Sequence, residues 1–144
     1  GGAVIGLEMA RELQLAGLVW EPRQGDRFAL PDRDMDDRVF VINDMPAFIE
    51  RIHGIEVMTF HGTPEWALDY VYMGEVVWLP EEGQLRSLLQ ERLVAEGADV
   101  YDLIYADGVY TCRFARQDTA LAFTAGDAAD AYAQALLYLL RGRA

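Results

Sequence analysis

The chain has 144 residues, a formal net charge of −12 at pH 7 and 52% hydrophobic residues. This hydrophobic share suffices for a core of ordinary size, so we expect one domain over residues 1–144. The acidic residues are spread along the chain, which makes nucleic acid and anionic membranes unexpected partners because both attract clustered positive charge. No run approaches the ~20 apolar residues of a membrane span, and the start lacks the basic region of a signal peptide. The single cysteine, Cys112, permits no internal disulfide, so the cytoplasm is the expected location.

Lysine is absent, and all 12 basic residues are arginines. A P-loop needs a lysine on the phosphates and a Schiff-base enzyme needs a lysine amine, so neither class is expected. The only serine, Ser87, lies in a leucine-rich helical segment and not in the G-x-S-x-G turn of a serine hydrolase. We therefore predict no cofactor of these classes.

The first predicted element is a helix over residues 4–16. Its apolar residues share one face, Gly17 is a suitable C-terminal stop, and we expect this face to cover one side of a sheet. Two strands follow, over residues 27–30 and 38–43, with the acidic loop 31–37 between them. Because residues 39–42 are apolar on both faces, the second strand is expected to be central in its sheet.

The next segment gives a mixed pattern. Residues 45–52 are ambiguous because they are short and contain Pro46, whereas residues 55–60 predict a strand. Thr63 as N-cap predicts a short helix over residues 66–73, closed by Gly74.

Residues 74–82 are expected to organise the fold. Residues 76–79 form a short apolar run typical of a strand covered on both faces, and Pro80 fits the first position of a following helix. Glu81 and Glu82 then place negative charge at the positive end of the helix dipole. The helix is predicted to end at about Glu96, before Gly97, and its apolar face carries Leu85, Leu88, Leu89 and Leu93.

After Gly97 the apolar period changes to two. Three runs, residues 101–105, 110–114 and 119–124, predict a meander with a hairpin loop at residues 106–108. Asp127 is the expected N-cap of a last helix that runs to Arg141, with Asp130 in the capping-box position. The element order predicts an α+β fold with one mixed or antiparallel sheet of about five to seven strands and helices packed on it.

The last helix is apolar around most of its circumference. Its polar residues fall on one narrow stripe, whereas a surface helix needs an apolar stripe of only about 100°. We expect the remainder to be covered, either by a second copy of the chain or by the first helix and the helix over residues 81–96. The polar stripe consists of Asp127, Asp130, Gln134, Tyr138 and Arg141.

An acidic stretch offers metal-ligand candidates. Asp32, Asp34 and Asp36 are spaced like the first three ligands of a calcium loop. The sixth position is Asp37 where that loop needs glycine, and the twelfth is Asn43 where it needs a bidentate glutamate. The better interpretation is a solvated acidic turn, so we predict no metal.

Catalytic candidates occur at a predicted strand-to-helix junction. His61 and Glu65 there could act as general acid and base, although Glu65 could equally favour the helix dipole while His61 ends a strand. His53, before Gly54, is interpreted as a loop residue, and Cys112 as a small core residue. An anion pocket from Arg23, Arg27, Arg113 and Arg116 would need the fold to bring them together.

Four motifs resemble a family of small uncharacterised bacterial proteins. They are Gly17-Leu18-Val19-Trp20 with Pro22, Arg23 and Gly25-Asp26-Arg27-Phe28; Pro31-Asp32-Arg33-Asp34-Met35-Asp36-Asp37; Glu65-Trp66-Ala67-Leu68-Asp69; and Val77-Trp78-Leu79-Pro80 with Gln84-Leu85. The resemblance implies no settled activity. Some members carry a pilus-assembly label that belongs to P-loop ATPases, which this lysine-free chain does not support, and the family has Asn where this chain has His61.

The sequence thus favours a small non-catalytic binding or regulatory module, with the last helix as the candidate contact of a homodimer. The alternative is a small hydrolase or nucleotide-handling enzyme that uses His61 and Glu65. A pocket lined by convergent polar groups would favour the enzyme, and an exposed apolar patch would favour the module.

Overall fold

The computed structural model describes residues 5–31, 35–42, 47–60, 70–98 and 100–142. These residues form three helices and three antiparallel sheets of three strands each, which confirms the α+β class. The strands are divided among three sheets and are not gathered in one. The helices are α1 (Leu7–Leu15), α2 (Glu82–Ala95) and α3 (Ala128–Arg141). The strands are β1 (Arg27–Leu30), β2 (Met35–Val41), β3 (Ala47–Ile52), β4 (Ile55–Phe60), β5 (Tyr70–Tyr72), β6 (Val77–Trp78), β7 (Tyr101–Ala106), β8 (Val109–Arg116) and β9 (Thr119–Ala125).

The chain divides into two compact units. One, called here the helical unit, comprises Gly1–Leu18 and Pro80–Ala144, and contains α1, α2, α3 and the sheet β7-β8-β9. The other, called here the aromatic unit, comprises Val19–Leu79 and contains the sheets β2-β1-β6 and β3-β4-β5. Among the described residues, no helix combines the length and apolar character needed to cross a membrane. The single domain expected over residues 1–144 stays a prediction.

Helix α3 forms the centre of the helical unit. It begins as predicted, because the Asp130 N–H donates to Oδ1 of its N-cap, Asp127, at 2.8 Å. It packs against α1, α2, β8 and β9. The expected burial is confirmed, and the cover comes from within this unit. The buried residues are Ala128, Ala129, Ala131, Tyr132, Ala133, Ala135, Leu136, Leu137, Leu139 and Leu140.

Helix α1 packs on α3, which corrects the expectation that it would cover a sheet. The reason is that the apolar surface of α3 is wide enough to face both the sheet strands and other helices. Gly17 has φ +108°, the left-handed conformation that ends a helix, and the Leu18 N–H donates to the Leu13 carbonyl at 3.0 Å. The predicted stop of the first helix is therefore confirmed.

Helix α2 begins two residues later than predicted. Its N-cap is Glu81, which forms a capping box with Gln84, the Glu81 N–H donating to Gln84 Oε1 at 2.9 Å. Pro80 therefore precedes the cap and does not occupy the first helical position. The predicted end is confirmed, because Glu96 is the C-cap and Gly97 has φ +85°.

The predicted meander is confirmed in the sheet β7-β8-β9. Asp107-Gly108 joins the first pair of strands, and Gln117-Asp118 joins the second. All four turn residues have φ between +51° and +81°, the conformation of type I′ hairpins, whose twist matches that of paired strands.

The first sheet of the aromatic unit has β1 at its centre, so the expectation that β2 would be central is wrong. Val39 and Val41 on β2 are 52% and 45% exposed, because one face of this edge strand lies open to solvent. Strand β6 is the opposite edge and has only two residues, although Val76, Val77 and Leu79 are buried as predicted. Residues 76–79 therefore close one sheet and do not organise the whole fold.

The second sheet of this unit resolves the ambiguous segment. Residues 47–52 form β3, which pairs with β4 through the turn His53-Gly54, so His53 is a turn residue as predicted. The helix predicted over residues 66–73 is wrong for its described part, since Tyr70–Tyr72 pair with β4 and Met73–Glu75 form a 3-10 turn. Aromatic and β-branched residues favour the strand here.

The core of the aromatic unit is a cluster of rings around Trp20. Trp20 lies 5.6 Å from Phe28 and 6.2 Å from Trp78 between ring centroids, and Phe28 lies 5.4 Å from Phe40. Asp26 anchors the cluster, because its buried Oδ2 accepts hydrogen bonds from Trp20 Nε1 at 2.8 Å and from the Arg23 N–H at 3.0 Å. Leu30, Ile42, Met58 and Val76 complete this core.

Candidate functional site

The catalytic candidates His61 and Glu65 lie outside the described residues, as do Asp32 and Asp34. The backbone of Asp36 belongs to strand β2, which begins at Met35, so the acidic loop is shorter than predicted. No group of three or more His, Cys, Asp or Glu within the described ranges is placed to hold a metal ion.

Cys112 is a core residue, as predicted. It is fully buried in the centre of β8, and burial, followed by the negative charge of Asp102, raises the pKa of its thiol to about 11. The thiol is thus protonated near neutral pH, whereas a reactive cysteine needs a lowered pKa. Cys112 contributes to packing and not to nucleophilic chemistry.

The arginines of the predicted anion pocket are divided between the two units. Arg23 and Arg27 belong to the aromatic unit, and Arg113 and Arg116 to the helical unit. Arg113 forms a bidentate pair with Asp102, with Nε to Oδ1 at 2.9 Å and Nη2 to Oδ2 at 2.7 Å. This hydrogen bonding lowers the pKa of Asp102 and raises the pKa of Arg113.

One face of the sheet β7-β8-β9 packs on α3, and the opposite face, called here the outer sheet face, lies open. Strand alternation assigns to it every second residue of each strand. Thr111 is half-buried and the other members are exposed, and Asp102 and Arg113 are its only charged residues. Its members are Asp102, Ile104, Ala106, Val109, Thr111, Arg113, Ala115, Ala120, Ala122 and Thr124.

Arg116 ends β8 on the other face of this sheet, where several elements meet. Its Nε lies 3.0 Å from Glu96 Oε1 at the end of α2, and Glu96 Oε2 is also 3.4 Å from Arg92 Nε. Its Cζ lies 6.0 Å from the centroid of the Tyr138 ring on α3. The guanidinium is thus held between a carboxylate and an aromatic ring.

A groove of about 710 Å³ lies on one side of Arg116. It is bounded by the end of α2, the start of β7, the end of β8 and the β8–β9 turn. Its lining carries the arginines 113 and 116 together with Glu96, Asp102 and Asp118. Since its lining mixes opposite charges, the groove indicates no particular class of ligand.

A smaller hollow of about 470 Å³ lies on the other side of Arg116, and we call it the arginine hollow. Its walls come from the end of β8, from β9 and from the last two turns of α3. Both charged residues of its lining are cationic. The lining consists of Arg116, Phe123, Gln134, Leu137, Tyr138, Arg141 and Gly142.

Sequence reasoning did not find this hollow. Arg141 Nη2 pairs with Glu12 Oε1 at 3.1 Å across 129 positions of sequence, and Arg116 approaches Tyr138 from another strand. The only signal in the sequence was that Arg116 continues the inward-facing series of Cys112 and Phe114. Such contacts depend on tertiary packing and have no local pattern.

The chain matches no family model, no curated protein and no solved structure. The resemblance to the family of small bacterial proteins therefore stays a prediction that rests on the four motifs. In the first of these motifs, Trp20 and Asp26 are joined by the buried hydrogen bond described above. This part of the motif therefore has a role in folding.

Proposed function

We propose that this protein is a small non-catalytic binding module that acts as a homodimer through the outer sheet face. The observation that carries the proposal is the exposure of this face, which bears short and apolar side chains around one ion pair. Ile104 and Val109 are 38% and 44% exposed. An exposed patch of this kind is typical of an interaction surface.

A second copy of the chain is the occupant we favour, for an electrostatic reason. Every copy carries a net charge of −12, so like surfaces generally repel one another. On the outer sheet face, however, Asp102 and Arg113 cancel, and the remaining members are uncharged. A twofold axis would place Arg113 of each copy within reach of Asp102 of the other, which makes the face self-complementary.

Because α3 is buried within the helical unit, we place the proposed interface on the sheet. The apolar surface of this helix first suggested a dimer, but α1, α2, β8 and β9 cover it within the helical unit. Leu136 and Leu140 are 2% and 7% exposed, so they belong to a core. On α3, Tyr138 at 42% exposure is the large apolar side chain left for a partner.

The side chains described in the helical unit support a non-catalytic role. Cys112 is buried and protonated, and Arg113 and Arg116 are paired with carboxylates. The alternative enzyme would depend on His61 and Glu65, which lie outside the described residues, and it stays a prediction. We place the module in the cytoplasm because its single cysteine forms no internal disulfide.

Sedimentation velocity over a micromolar concentration series tests the proposal. The outer sheet face has ten residues, fewer than the roughly 20–30 per side of a standard interface, so we expect a dimer that dissociates on dilution. Ile104→Glu should give a folded monomer. Leu15→Glu is the matched control, because Leu15 is 87% exposed on α1, and it should leave the dimer intact. Tyr138→Glu tests the C-terminal helix α3 in the same way and should also leave the dimer intact.

Charge exchange gives a second test. Arg113→Asp should abolish the dimer, and the double variant Asp102→Arg with Arg113→Asp should restore it, since the exchange recreates both pairs. A wild type that is monomeric at every concentration would overturn the proposal. A dimer lost in Tyr138→Glu but retained in Ile104→Glu would transfer the interface to α3.

A further inference from the structure

The charges around the arginine hollow differ from those of the chain as a whole. Glu96 forms salt bridges with both Arg92 and Arg116, and Glu12 forms one with Arg141, so three arginines share two carboxylates. The seven lining residues include two cations and no anion. In a chain with a net charge of −12, this local excess of positive charge would favour a negative ligand.

The hydrogen-bond donors of the hollow are only partly used. Within the described part of the chain, Arg116 pairs through Nε, which leaves its two terminal nitrogens for another acceptor. Arg141 pairs through Nη2 with Glu12, and both side chains are about half exposed, at 58% and 42%. An exposed pair of this kind is readily exchanged for a ligand. The guanidinium fork matches a carboxylate in bidentate geometry.

Gly142 leaves room for the guanidinium of Arg116. A Cβ at this position would lie 2.6 Å from Nη1 of Arg116, closer than a carbon and a nitrogen can approach. Any larger residue would displace the guanidinium from the wall of the hollow. The amide of Gln134, half-buried on α3, adds a neutral donor and acceptor to the same lining.

The rest of the hollow is apolar. The rings of Phe123 and Tyr138 lie 5.5 Å apart between centroids, and Leu137 completes the wall. The volume of about 470 Å³ falls within the range of small-molecule sites, roughly 300–1,000 Å³. We propose that the arginine hollow binds a small carboxylate with a flat apolar body, its carboxylate between Arg116 and Arg141 and its body against Phe123 and Tyr138.

This site is independent of the proposed dimer. Arg116 and Phe123 point to the α3 side of the sheet, whereas the outer sheet face carries the alternate residues. The two proposals therefore fail separately. Ile104→Glu should remove the dimer and leave binding in the hollow unchanged.

Titration of the ¹⁵N-labelled chain with benzoate, followed by NMR, tests this inference. Benzoate should shift the amide signals of Phe123, Arg141 and Gly142 in a saturable way. Benzamide, which has the ring without the charge, and inorganic phosphate, which has charge without the ring, should bind at least about tenfold more weakly. Arg141→Gln should raise the Kd for benzoate by about tenfold. The control Arg86→Gln, on an exposed arginine of α2 that does not line the hollow, should leave the Kd unchanged.

Gln134→Glu gives a second variant that retains both arginines. Its added negative charge should abolish benzoate binding while the far-UV circular dichroism stays that of the wild type. The inference is overturned if benzamide binds as well as benzoate or if the shifted amides lie outside the hollow. It is also overturned if neither Arg141→Gln nor Gln134→Glu changes the Kd.

Discussion

The two units of this chain fill their cores in opposite ways. The helical unit surrounds one helix, α3, with small and aliphatic side chains, among which Ala129, Ala133 and Leu139 have no exposed surface. The aromatic unit instead stacks Trp20, Phe28, Phe40 and Trp78 beside a sheet and anchors them with the buried carboxylate of Asp26. The first core therefore depends on volume, and the second on ring contacts and one polar anchor.

This difference determines what each core can tolerate. A close-packed core of alanine and leucine loses stability with each change of volume, because little space is left for relaxation. A core with a buried hydrogen bond is sensitive to loss of either partner, because the other is left unsatisfied.

The two units also have separate spectroscopic probes. All three tryptophans of the sequence fall between residues 19 and 79, whereas the described α-helices belong to the helical unit. Tryptophan fluorescence thus reports on one unit, and far-UV circular dichroism of helices on the other.

The largest effect is expected from a cavity beside α3. Leu139→Ala should lower the free energy of unfolding by about 2–5 kcal/mol, because Leu139 is fully buried and its neighbours cannot close the space. Urea unfolding followed by circular dichroism measures this change. Leu15→Ala, on an exposed side chain, should stay within about 0.5 kcal/mol of the wild type. Equal effects of the two variants would mean that α3 is not the packed centre of its unit.

A smaller effect is expected from the polar anchor of the aromatic unit. Asp26→Ala should cost about 1–3 kcal/mol, because it leaves Trp20 Nε1 and the Arg23 N–H without their acceptor. Asp26→Asn is the matched control, since its amide oxygen can accept both hydrogen bonds, and it should cost less. Urea unfolding followed by tryptophan fluorescence separates the variants. If Asp26→Asn destabilises the protein as much as Asp26→Ala, the negative charge of Asp26 is what stabilises the fold, and not its acceptor oxygen.

The two tryptophans of this cluster should differ from each other. Trp20 donates to Asp26, whereas the buried Nε1 of Trp78 has no acceptor among the described residues. Replacing Trp78 by Phe removes an unsatisfied donor, so Trp78→Phe should destabilise less than Trp20→Phe by about 1 kcal/mol. The same fluorescence experiment, using the remaining tryptophans, measures both. A larger cost for Trp78→Phe would contradict the stabilising role of the Trp20–Asp26 hydrogen bond.

Much of the helical unit could be predicted from the sequence. Its signals are local: Gly17 and Gly97 at helix ends, Asp127 at a helix start, and alternation from Tyr101 to Phe123. The aromatic unit was predicted less well. The continuous apolar run on β2 predicts a central strand, but its exposed valines show that composition alone cannot assign a strand to the centre or edge of a sheet.

The candidate sites were harder to predict than the elements. The sequence points to residues with motif-like spacing within short segments. These are His61 with Glu65, and the aspartates near Asp34. The arginine hollow instead combines Arg116 at a strand end with Arg141 at a helix end, and their carboxylate partners are Glu12 on α1 and Glu96 at the C-cap of α2. Such a site is specified by packing, so no window of sequence contains it.

The smallest expected effect is a pH dependence confined to the helical unit. Burial raises the pKa of the Cys112 thiol from 9.0 to about 11 and also raises the pKa of Tyr132. The unfolded chain therefore loses these protons first, so their contribution to stability is complete below pH 9 and is lost as the pH rises towards 11. Between pH 8 and pH 10 the thiol should account for a loss of about 1 kcal/mol in the free energy of unfolding.

The variant Cys112→Ala tests this contribution. Its free energy of unfolding, measured by urea unfolding and circular dichroism, should fall less steeply with pH than that of the wild type. Loss of the sulfur itself adds a cost that does not depend on pH. Parallel curves for the two proteins would show that the thiol is not buried as a neutral group. If unfolding followed by tryptophan fluorescence shows the same alkaline loss of stability, the pH dependence belongs to groups outside this core.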